Sequence, residues 1–150
     1  MVNSPLAERS CRIEIPLLPA SINHYVEHKA RGVHVKSNEA KGFENAFSLF
    51  VKGEYAVSAV PSFAAKIQIV LPLKKKGDVD NFPKQILDCA AKAAMLRSVK
   101  GLQLSDCYVR RLEVEIYDDI ESRAFFGPLV RLTIYPLALG LWRREKERPL

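Results

Sequence analysis

The chain has too few cysteines, in the wrong arrangement, to be stapled by disulfides or by a structural metal. Cys11, Cys89 and Cys107 are odd in number and include no Cys-x-x-Cys pair, so they read as reduced thiols, with Cys89 packed inside a helix. No apolar run approaches the length of a membrane span, and Met1 to Arg9 lacks the apolar core of a signal peptide. The expectation is a soluble, cytoplasmic protein with no membrane partner. There is no internal repeat and no low-complexity tract. A His-Glu-x-x-His zinc motif is also missing: His24 and His28 are four apart, a spacing that on a helix would offer both to one metal, but no Glu follows His24. Together with His34, Lys29 and Arg31 they read as a basic loop or hairpin from His24 to Val35 that can reach phosphates.

What is present is positive charge in particular places. The 23 Lys and Arg outnumber the 17 Asp and Glu, for a formal charge of +6, which favours polyanionic partners. The excess gathers at Lys74-Lys75-Lys76 and at Trp142-Arg143-Arg144-Glu145-Lys146-Glu147-Arg148. The second run reads as a solvated tail. The first leads into Gly77-Asp78-Val79-Asp80-Asn81-Phe82-Pro83-Lys84. In an extended segment, side chains two apart share a side, so Asp78 and Asp80 offer hard oxygen ligands to one Mg²⁺ while Val79 faces a core.

Pro83 suits the first turn of a helix, which makes Asp80 or Asn81 the expected N-cap of a helix from about Phe82 to Arg97. Lys84, one turn beyond Asp80, then points an ammonium towards a phosphate. Asp106, in the polar break before a strand from Tyr108, supplies a third carboxylate from a second connection. Each feature also has a plainer reading: a capping cluster, a solvated basic loop, a turn residue. An EF-hand is excluded, because Phe82 and Pro83 stand where that loop needs Asp or Asn followed by Gly. Asp118-Asp119-Ile120-Glu121 reads as an exposed hairpin connection.

A basic loop, then Asp78-Val79-Asp80-Asn81, then Lys84, an inner helical Asp88 and an acidic turn at Asp106 together resemble the RusA-type Holliday junction resolvases. The N-terminal Ile13-Glu14-Ile15-Pro16-Leu17-Leu18-Pro19-Ala20-Ser21-Ile22-Asn23 is similar to that family's strand, proline pair and Ser-x-Asn. Ser105 stands where the family often carries the first of two Asp residues, and no aromatic lies between Pro16 and Pro19. The resemblance implies a Mg²⁺-dependent endonuclease acting as a homodimer on four-way DNA junctions. It makes Asp78, Asp80 and Asp106 metal ligands, Lys84 a catalytic cation, and Lys74, Lys75 and Lys76 DNA contacts with Lys84. Two other classes stay open: a nucleic-acid-binding protein without catalysis, and a metal-dependent enzyme on phosphorylated small molecules.

The remainder reads as scaffold. Arg12 to Leu17 alternates as a strand after a flexible arm over 1–11. Asn38 to about Val51 reads as a helix with Ser37 as N-cap and Phe43, Ala46, Phe47 and Phe50 on one face; Gly53 ends it unless Glu54 to Val60 prolong it. Phe63 to Leu71, Tyr108 to Tyr117 and Leu129 to Tyr135 read as strands, with Leu112, Val114, Ile116, Val130, Leu132 and Ile134 inward. The expected architecture is α+β: one domain over 12–136 with a mixed sheet and helices mainly on one side, followed by a basic tail over 137–150.

Overall fold

The computed structural model describes residues 5–19, 26–28, 34–71, 82–117 and 129–137. Alternating apolar residues place β1 (Cys11–Ile15), β5 (Phe63–Val70), β7 (Val109–Tyr117) and β8 (Leu129–Pro136) in one mixed sheet of order β1-β8-β5-β7. β8 runs antiparallel to both β1 and β5, and β5 runs parallel to β7. Because directly paired residues share a face, the registers Ile13↔Leu132, Ile67↔Leu132 and Ile67↔Val114 collect the apolar side chains on one side. That face is covered by α1 (Asn38–Val51) and α2 (Pro83–Lys92), through Phe43, Phe47, Ile86 and Cys89. The chain is therefore a single α+β domain with one principal core. Phe43 and Phe47 are almost fully buried, and truncating either to Ala would cost about 3–5 kcal/mol.

α1 begins where the sequence predicts: Ser37 Oγ accepts the Ala40 N–H at 3.1 Å. It stops at Val51 because Lys52 and Gly53 both adopt positive φ, 51° and 75°. Glu54 to Val60 does not prolong the helix, since β4 (Ala56–Ser58) lies there, parallel to β6 (Leu96–Ser98). Phe50 is 38 % exposed and Ala46 only half-buried, so the buried stripe is Ala40, Phe43, Phe47 and Val51.

α2 departs further from expectation. Its N-cap is Phe82, neither Asp80 nor Asn81, with no side-chain capping bond. Phe82 is 1 % exposed, so burial of an aromatic ring sets the helix start. The helix also ends at Lys92, short of Arg97. Ala94 turns left-handed at φ 56°, and Met95 N–H bonds back to Ala90 C=O at 3.1 Å. This reversal carries Met95 and Leu96, both fully buried, into the core and into β6.

The N-terminal arm is tied down over its described part. Leu6 N–H donates to Val99 C=O at 2.7 Å, and Arg9 exchanges two backbone bonds with Val57 at 3.1 and 2.9 Å. β2 (Val26–His28) and β3 (His34–Lys36) pair antiparallel with His28 opposite His34. His28 thus lies on a strand, which removes the helical pairing of His24 with His28; His24 lies outside the described residues. Among the described residues no helix is long and apolar enough to cross a membrane.

Candidate active site

β5 ends at Val70, and α2 begins at Pro83, directly after its N-cap Phe82. Lys74, Lys75, Lys76, Asp78, Asp80 and Asn81 fall between, outside the described residues, as do the acidic run from Asp118 and the tail over 138–150. The described candidate residues sit on two platforms, the opening turn of α2 and a turn ahead of β7.

The first platform is the opening turn of α2. Phe82, Pro83, Gln85 and Ile86 are buried, and Gln85 Nε2 donates to Ala40 C=O at 2.6 Å, locking the turn to the start of α1. What remains at the surface is Lys84, with Asp88 one turn on and Nζ 3.6 Å from its carboxylate. Asp88 therefore sits beside the predicted catalytic cation. Gln85 was not anticipated, although it left a signal: a glutamine on the apolar stripe of Phe82, Ile86 and Cys89.

The second platform is a 3₁₀ turn, Asp106–Tyr108, that packs against α2 and delivers the chain to β7. Gln103 Nε2 steadies it by donating to Ala91 C=O at 2.8 Å. Asp106 is half-exposed, and its carboxylate takes no hydrogen bond or ion pair from any described residue. β7 does pair with β5, the strand leading towards Asp78, but in parallel register with Val109 opposite Phe63. Asp106 thus lies near the beginning of β5, and its link to the 72–81 segment runs along α2, ten residues and ~15 Å long. Among the described residues no three His, Cys, Asp or Glu side chains group to hold a metal.

The outer face of the sheet is polar and ion-paired. Glu14 accepts from Arg12 at 3.1 Å and from Arg131 at 2.9 Å; the Arg12 bond is the larger cause holding its carboxyl below the usual range. Glu115 is likewise held low, first by the Tyr117 hydroxyl and then by Gln68 and Lys66. Under the sheet, burial foremost, with the charge of Glu54 second, pushes the Cys11 thiol up to about 12. These carboxylates have partners already, in contrast to Asp106. A cavity of about 260 Å³ lined by Glu44, Asn45, Phe47, Ser48, Cys89, Lys92 and Ala93 includes none of the predicted site residues.

No protein-family model matches the chain, and no curated protein sequence matches it.

Proposed function

We propose that the chain is a Mg²⁺-dependent, structure-selective DNA endonuclease that resolves four-way Holliday junctions in recombination and repair as a homodimer. The observation that supports this reading is that α2, which bears Lys84 and Asp88, packs against the turn bearing the half-exposed Asp106. α2 is capped by Phe82, so Asp80 and Asn81 are not its N-cap, and the half-exposed Asp106 carboxylate has no partner among the described residues. Three carboxylates are the donor set that a hard divalent cation prefers.

In this reading Asp78, Asp80 and Asp106 are the ion's ligands, which requires the 72–81 segment, following the end of β5, to reach the turn at that strand's beginning. When bound, Mg²⁺ polarises the scissile phosphate and makes a bound water a better nucleophile. Lys84 offsets the charge that grows on the phosphate oxygens, and Asp88, one turn on, fixes where that ammonium points. Lys74, Lys75 and Lys76 hold the flanking backbone without reading sequence. A two-fold junction has two equivalent strands, and a symmetric dimer supplies one site for each.

The test is a synthetic four-way junction labelled on each strand in turn and incubated with Mg²⁺ or with a chelator. The expected result is a pair of symmetric nicks that require the metal. Tight binding with no cleavage at any metal concentration would leave the non-catalytic binding reading in its place.

A further inference from the structure

We infer that the outer edge of β7 is a self-pairing surface, on which β7 of a second copy adds antiparallel with its two-fold axis through Leu112. This rests on the homodimer part of the proposed function and names its contact. β7 is nine residues long, ends the sheet order, and pairs among the described residues only with β5. An edge of this length exposes a row of backbone donors and acceptors. Val109–Tyr117 has no lysine or proline and is not short; its protection is charge, from Arg110, Arg111, Glu113 and Glu115, which a pairing partner has to match. The register shift against β5 is confined to its start, at Phe63/Ala64, and the pairing from Arg111 to Tyr117 is unbroken.

The side chains select one register. Antiparallel pairing about an axis perpendicular to the sheet keeps each face continuous, so the axis must pass through a residue. Placed at Leu112, it sets Arg111 opposite Glu113 of the second copy, and Glu113 opposite Arg111 of the second copy, on the polar face. On the other face, Leu112, which is 44 % exposed at the end of the core, meets its own counterpart. An axis at Arg111 or at Glu113 sets a like charge on itself, and one at Val114 sets Glu113 against Glu115 twice. Arg111 already interacts within its own chain; with five N–H donors a guanidinium can serve both partners.

The experiment is sedimentation equilibrium on the full chain at low salt, comparing wild type with Arg111→Glu, Glu113→Arg and the double reversal. The expected result is a wild-type dimer, each single reversal weakening association at least tenfold, and the double variant restored to within about threefold, since two repulsive pairs become attractive again. Glu113→Gln, nearly isosteric, should weaken association less than Glu113→Arg and reduce its salt dependence, which keeps the test open if a reversal disturbs folding. A dimer indifferent to every substitution, or a double variant as weak as the singles, would overturn the edge contact and leave the homodimer standing. A wild-type monomer at high micromolar concentration would overturn both, while metal-dependent cleavage would be judged separately on junction DNA.

Discussion

At the scale of single residues, the account turns on charges whose surroundings differ. Lys84 and the half-buried Asp88 form an i,i+4 pair, a kind that on a helix surface adds only about 0.3–0.5 kcal/mol. Asp88→Asn should lower turnover through the lost direction of Lys84, and urea denaturation of the same variant separates that loss from any loss of stability. Lys84→Ala should lower turnover about 10²-fold at saturating DNA, measured in single-turnover cleavage; an unchanged rate would remove Lys84 from the chemistry. The thiols provide an independent check on the fold. A group whose folded pKa is raised keeps its proton, so Cys11, pushed from 9.0 to about 12, carries almost no thiolate at pH 8. Its stabilising preference is complete below pH 9 and is lost as pH rises towards 12. Alkylation at pH 8 followed by mass spectrometry should modify the exposed Cys107 first, with Cys11 and Cys89 reacting only after unfolding.

At the scale of elements, strand alternation was the part most legible in the sequence. β5 and β8 bury the residues their period-two pattern assigns inward, because both are central strands with a helix-covered face. β7 follows it only in part: Val114 and Ile116 are partly buried against the core and Leu112, expected inward, is exposed, since an edge position is not visible in a strand's own residues. Helix ends were legible only where a polar cap sets them. Ser37 was readable for that reason, whereas Phe82 and Ala94 answer to burial of Phe82, Met95 and Leu96 that no local signal announces. Of the candidate site, residue types and spacing could be read; what could not was the position of Asp106, which depends on the parallel register of β5 and β7.

Two cap substitutions should move stability in opposite directions. Ser37→Ala removes the bond to Ala40 and should cost about 1 kcal/mol. Ala94→Gly relieves a left-handed alanine at φ 56° and should add about 1 kcal/mol. Urea denaturation measures both; a stabilised Ser37→Ala would contradict the capping account. The basic segment ahead of α2 is tested by replacing Lys74, Lys75 and Lys76 with Ala. The slope of log affinity against log salt should become shallower, by up to about 0.9 for each duplex phosphate that a lysine no longer neutralises. A wild-type slope would exclude these side chains from the footprint.

At the scale of the whole molecule, the mixed sheet divides the labour between its two faces. One face carries the helices, and α2 brings Lys84, Asp88 and the turn bearing Asp106 into a single structural unit; the other is a polar surface of paired charges. The central claim is that Asp78, Asp80 and Asp106 do chemistry rather than shape the chain. The most direct measurement compares junction binding with junction cleavage for Asp78→Asn, Asp80→Asn and Asp106→Asn. The account predicts that each loses Mg²⁺-dependent cleavage by about 10²-fold or more while binding is retained or strengthened, because a negative charge facing phosphate has been removed. Wild-type cleavage by any of the three variants, or loss of binding in step with loss of cleavage, would contradict it.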